Sequence, residues 1–155
     1  MAYRRSVASC LGLVLAASLS FTEKAIADST TDPCSDPPSA CAASCTKASA
    51  CNVSLSRNDD GSVRIAVNGT DAPIFCVDSG IVVSWATPDA TSKFKAKFNP
   101  AHKPFPNAVV SGSSGHPAKV KASLDGEPCY VYSASVCDSS GKCAKNDPRV
   151  IVRQP

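Results

Sequence analysis

Short runs that alternate apolar and polar residues, cut by turn residues, constrain this chain more than any other feature. Lys93-Phe94-Lys95-Ala96-Lys97-Phe98 is the cleanest run: Phe94, Ala96 and Phe98 fall on one side and the lysines on the other. A period of two is what a strand with one buried face requires, whereas a helix repeats every 3.6 residues. The same period appears at Val63, Ile65 and Val67; at Ile81, Val83 and Trp85; at Val120, Ala122 and Leu124; and at Tyr130, Tyr132, Ala134 and Val136. Shorter apolar runs at Pro73–Val77, Val109-Val110 and Arg149–Arg153 read the same way. Between them lie turn signals: Asn68-Gly69, Asp78-Ser79-Gly80, Pro88–Thr91, Ser111–Pro117, Asp125-Gly126 and Asp138–Lys142. Asn99–Pro106 holds three prolines and is expected to be an irregular loop pinned by Phe105. About seven or eight such strands predict an all-β domain over residues 57–155, an antiparallel Greek-key sandwich. Prolines recurring from residue 33 to 155, and the lack of heptads, exclude a coiled coil or helical bundle.

Residues 1–27 read as an export signal. Arg4 and Arg5 precede an apolar run from Val7 to Phe21, and Ala25-Ile26-Ala27 offers small residues where a signal peptidase reads them. Cleavage is expected after Ala27. The apolar run is about 15 residues, short of the roughly 20 that cross a bilayer, so no transmembrane span is expected in the mature chain. Taking 27 residues from 155 leaves 128, and Cys10 leaves with them, so nine cysteines become eight. An even count in an exported chain reads as disulfides, which places the protein outside the cytoplasm, secreted or periplasmic. The signal also removes three of the 16 basic residues and one of the 13 acidic ones, so the balance falls from +3 to +1. That is too small to point to nucleic acid.

The cysteines are unevenly spread. Cys34, Cys41, Cys45 and Cys51 crowd into residues 28–56, a small-residue segment expected to precede the sandwich. Its Pro38–Lys47 stretch is Ala-rich, starts with proline and is the one helix candidate. Cys137 and Cys143 flank a short loop and are expected to pair across a hairpin. Cys76 and Cys129 start from strands and are expected to pair with each other, leaving the four N-terminal cysteines to pair among themselves as a stapled cap. A zinc site built on Cys41 and Cys45 is the competing reading, and an oxidising compartment disfavours it.

Catalytic constellations are sparse. His102 and His116 both sit in proline-bounded loops, no Gly-x-Ser-x-Gly elbow occurs, and the acids cluster at turns, where turn geometry alone selects them. A non-catalytic protein is expected, with no cofactor and no metal. The lysines are more informative. Lys93, Lys95 and Lys97 project from one strand face and Lys119 and Lys121 from another. If those strands are neighbours, they make a patch for an anionic polysaccharide, lipid headgroups or an acidic envelope protein. Asn52-Val-Ser54 and Asn68-Gly-Thr70 fit the N-glycosylation tripeptide.

Gly80-Ile-Val-Val-Ser-Trp85, Phe94–Phe98, Pro104-Phe105, Tyr130-Val-Tyr132 and the closing Asp147-Pro-Arg-Val-Ile-Val152 give residues 61–153 a pattern that resembles the cupredoxin-like sandwich domains of exported bacterial proteins. An immunoglobulin-like sandwich has a similar pattern. The cupredoxin resemblance implies blue-copper electron transfer, whose site takes two histidines, a cysteine and an axial methionine near the last hairpin. This chain departs from that set: its one methionine is Met1, and no histidine follows Cys129 or Cys137. What remains is an exported sandwich with a binding or structural role. The alternative is a small secreted inhibitor or effector acting through its Cys-rich N-terminal segment.

Overall fold

A computed structural model describes residues 41–124, 126 and 128–155. The expected signal, Cys10, Cys34, Asp125 and the start of the helix candidate lie outside them. The described residues form strands β1 (Ala43–Cys45), β2 (Cys51–Arg57), β3 (Val63–Val67), β4 (Thr70–Asp71), β5 (Ile74–Asp78) and β6 (Val82–Ala86). They continue with β7 (Lys93–Phe98), β8 (Val109–Ser113), β9 (Ala118–Lys121), β10 (Cys129–Cys137), β11 (Cys143–Asn146) and β12 (Arg149–Arg153). One sheet runs β1-β5-β12-β10-β7-β8, with β11 also paired to β10; the other runs β4-β3-β2-β6-β9.

The alternating residues are what close the two sheets on each other. Val53, Leu55, Val63, Ile65, Val67, Val83 and Trp85 from one sheet meet Phe75, Val77, Phe94, Ala96, Phe98, Tyr130, Tyr132, Ala134, Val136, Val150 and Val152 from the other, all buried. Trp85 is the hub. Its ring stands edge-on to Phe105 at 5.8 Å and to Tyr132 at 5.6 Å. Phe105, in the proline-rich loop, also packs on Phe98 at 5.3 Å and so pins that loop, as its sequence suggests.

The all-β sandwich is present, but its sheets are mixed rather than wholly antiparallel. β1 and β12 each run parallel to β5, and β2 runs parallel to β6. Alternation reveals which face a residue takes; it is the same for either strand direction, which the connections decide. The segment expected to be helical holds β1 instead. Ala43 and Ser44 pair with Phe75 and Cys76, so a sheet edge, rather than local alanine propensity, sets its backbone. β2 crosses the expected boundary at residue 57 and is a central strand between β3 and β6. Its alternation, Cys51, Val53 and Leu55 against Asn52, Ser54 and Ser56, is legible, yet the surrounding cysteines and small residues obscure it.

Two turns tie distant parts together. Asn68 and Gly69 take positive φ of 50° and 86° to turn β3 into β4, a conformation glycine adopts without penalty. The Asn68 side chain then accepts from the Asn52 N–H at 3.0 Å and donates to the Ala50 carbonyl at 2.7 Å. In the β10–β11 hairpin, Asp138 Oδ1 accepts from the Ser140 and Lys142 N–H groups, both at 3.0 Å, while Oδ2 meets Arg57 at 2.8 Å.

The disulfides differ from the expected set in one respect. Cys137–Cys143 closes the hairpin with Cα atoms 4.0 Å apart, and Cys45–Cys51 joins β1 to β2. Cys76, however, bonds to Cys41, 35 residues away, and not to Cys129, which is itself disulfide-bonded. The physical reason is β1. By lying along β5 it brings Cys41 to Cys76, so among the described residues Cys45 and Cys51 pair within the N-terminal segment while Cys41 is tied to the sandwich. The result shows in the row Cys129, Ile151, Cys76 and Ser44, which crosses β10, β12, β5 and β1. This row lies opposite the core-facing Tyr130, Val150 and Phe75, yet Cys76 and Ile151 are buried.

Candidate functional site

Lys93, Lys95 and Lys97 are exposed along β7, between buried Phe94, Ala96 and Phe98. The register then places a hydroxyl-rich row beside each. Lys93 faces Ser113 and Cys137, Lys95 faces Ser111 and Ser135, and Lys97 faces Val109 and Ser133. Directly paired residues share a side of the sheet, so these groups form one outward surface. β11 extends it with Lys145, which pairs with Ser135. Successive lysines on one strand stand about 6–7 Å apart. Strands β7, β8, β10 and β11 contain no Asp or Glu. The surface therefore carries positive charge with no carboxylate set into it.

Lys119 and Lys121 do not join it. β9 pairs with β6 in the other sheet, where Lys119 faces Ser84 and Lys121 faces Val82. They leave the opposite face of the sandwich. The sequence shows which side of its strand a lysine takes, but a strand's sheet depends on long-range pairing.

Where β8 turns towards β9, the surface is indented. A cleft of about 320 Å³ is lined by Lys93, Phe94, Lys95, Ser111, Gly112, Ser113 and His116. Ser113 and His116 close the turn with two backbone hydrogen bonds of 3.1 and 3.2 Å. A Cβ on Gly112 would stand 2.5 Å from the His116 carbonyl oxygen and 2.9 Å from the Phe94 ring. Glycine is what allows that turn to fold against the strand. Ser111–Pro117 was expected to be loop alone; its first half is β8, and neither Gly112 nor the Ser rows stood out without the register. His102 belongs to the 99–106 loop, where its N–H donates to the Asn99 carbonyl, and Lys103 Nζ donates to the Pro100 carbonyl at 3.1 Å.

The acids have local duties. Asp89 accepts from the Ser92 hydroxyl and the Thr91 N–H, which hold its carboxyl below its usual value. Asp60 is lowered by bonds from Ser62, and Asp138 by the Ser140 hydroxyl, the neighbouring N–H groups and Arg57. Asp78 pairs with Arg153 at 3.3 Å. Of the two glycosylation tripeptides, the Asn68 amide is already engaged at both ends within the fold. Among the described residues no group of His, Cys, Asp and Glu is arranged to hold a metal ion, and no helix is long and apolar enough to cross a membrane. A blue-copper site needs a cysteine thiolate. Every described cysteine is disulfide-bonded, so the described residues do not offer the thiolate of a blue-copper site.

No family model matches this chain, and no curated protein matches it. Among solved structures it is similar to a copper(I) amicyanin mutant and to an oxidised amicyanin mutant. Each is 15% identical over 67% of this chain and 82% of the other, with a TM-score of 0.37. Both are cupredoxins, the class that the 61–153 pattern resembles.

Proposed function

We propose that this protein is an exported, disulfide-stabilised β-sandwich with a non-catalytic binding role, and that its ligand is an acidic polysaccharide outside the cytoplasm. The observation that carries this reading is the Lys93-Lys95-Lys97 row with its serine partners on strands that lack any carboxylate. Such a surface attracts polyanions over distances of a Debye length and supplies hydroxyl partners at contact. Export is supported by the signal-like residues 1–27 and by a fold cross-linked at Cys41–Cys76, Cys45–Cys51 and Cys137–Cys143. The Cys-rich segment supplies sheet strands, which favours a structural use of those cysteines over a separate partner-binding device.

The test is retention of the oxidised protein on an immobilised polyuronate, compared with a neutral glucan of similar length. Retention on the polyuronate, released by salt and lost when Lys93, Lys95 and Lys97 are changed to Ser, is expected. Equal behaviour on the two matrices, or retention unchanged by the triple substitution, would refute the reading.

A further inference from the structure

We infer that the cleft between β7, β8 and the Ser113–His116 turn is an oxyanion subsite that seats one acidic sugar residue, through either a carboxylate or a sulfate. This rests on the reading above and adds to it a specific point of attachment.

Every ionisable side chain lining the cleft is basic: Lys93, Lys95 and His116. Ser111 and Ser113 add hydroxyl donors on the same side of the sheet as the two lysines. A carboxylate or sulfate oxygen forms its strongest hydrogen bonds with charged donors of this kind. The carboxylates in the loops at that end of the strands are otherwise occupied, Asp89 by Thr91 and Ser92 and Asp138 by Arg57 and the hairpin N–H groups. At about 320 Å³ the cleft lies at the lower end of small-ligand pockets, a size for one sugar rather than a chain. The lysine stems and Phe94 give it apolar walls. Gly112 sets its shape, because the missing Cβ is what lets the His116 turn close on the strand.

The surface also says what kind of recognition is available. The exposed large apolar residues are Val82, Val109 and Val131, so among the described residues no exposed aromatic ring offers a stacking platform. Selection must come from charge and hydrogen bonds, and binding must weaken with salt. A planar anionic bilayer would engage the whole row Lys93, Lys95, Lys97 and Lys145 alike. A recessed cluster at one end favours a single protruding anion.

The experiment is calorimetric titration of the oxidised protein with a short oligouronide, its sulfated counterpart, the neutral parent oligosaccharide and anionic phospholipid vesicles. Lys93→Ser with Lys95→Ser is expected to weaken oligouronide binding by about tenfold or more, as loss of charge-assisted bonds does. His116→Gln and Ser111→Ala with Ser113→Ala are expected to weaken it several-fold at unchanged melting temperature. Gly112→Ala, whose Cβ would push the His116 turn off the strand, should weaken binding with the lysines in place and, unlike His116→Gln, should also lower the melting temperature. Lys97→Ser with Lys145→Ser should change it little, and Lys119→Ser with Lys121→Ser not at all. Comparing the uronide with the sulfated sugar shows which oxyanion is preferred. If His116→Gln and the serine variants bind as the parent does, and losing Lys97 and Lys145 costs as much as losing Lys93 and Lys95, the subsite is refuted while the cationic face stands. If vesicles bind and the oligouronide does not compete, the subsite is refuted in favour of a membrane surface. If neither oligomer nor long polyuronate binds, subsite and function fall together.

Discussion

The outer surface of the larger sheet has two halves with opposite treatment. On β1, β5 and β12 the outward face is buried at its centre, at Cys76 and Ile151, Cys76 is cross-linked to Cys41, and Asp78 at one strand end pairs with Arg153. On β7, β8, β10 and β11 the outward row is exposed, lysine-rich and free of carboxylates. One strand, β10, serves both: Cys129–Val131 pairs with β12, and Tyr132–Cys137 pairs with β7. The same sheet thus separates holding the fold together from presenting charge. Substitutions in one half should leave the other half's property intact.

The sharpest separation comes from removing the Cys41–Cys76 bond by Cys41→Ser with Cys76→Ser. It closes a 35-residue separation, and its loss is expected to cost about 4 kcal/mol of unfolding free energy in chemical denaturation. Affinity of the folded protein for polyuronate should not change; a parallel loss of affinity in conditions where the variant is folded would break the comparison. The reverse pattern is expected of Lys93→Ser with Lys95→Ser: about tenfold weaker binding, equivalent to about 1.4 kcal/mol, with thermal stability held within about 0.5 kcal/mol.

Beneath both halves, Tyr132 offers a test of the shared core. Its hydroxyl is buried without a hydrogen-bond partner among the described residues, and burial pushes its pKa far up. Tyr132→Phe removes an unsatisfied polar group and keeps the ring against Trp85 and Phe98. It is therefore expected to raise stability by about 1 kcal/mol, measured by denaturant midpoint. A marked loss of stability would show that the hydroxyl is bonded in solution.

The smallest effect belongs to the hairpin tie, Asp138 to Arg57. Asp138 is held below its usual value near 3.8, chiefly by the Ser140 hydroxyl. A carboxylate depressed in the folded state adds stability that is present above the unfolded value and is lost as pH falls through the folded one. Asp138→Asn should lower the melting temperature slightly at pH 7, and the gap should close as pH drops below about 4. A gap that persists in acid would assign the effect to geometry rather than charge.

Much of this is legible in the residue order alone. The faces of Phe94, Ala96 and Phe98, the turn at Asn68-Gly69 and the Cys137–Cys143 hairpin all depend on residues close in the chain, and Phe105 stands out as the large apolar residue of its proline loop although its partner Trp85 lies in the other sheet. Period, turn chemistry and short loop closure are local properties, and the residue order specifies them. The three lysines of β7 are in this group, since alternation alone turns them outward. Other features depend on which distant strands meet. β1 lies along β5 and so gives Cys76 to Cys41, β9 sits in the other sheet and so separates Lys119 and Lys121 from Lys93, and β8 brings Ser111, Ser113 and Gly112 to the lysine row. Alternation is blind to strand direction and to sheet membership, so only the tertiary structure could decide these, and with them where the positive surface begins and ends.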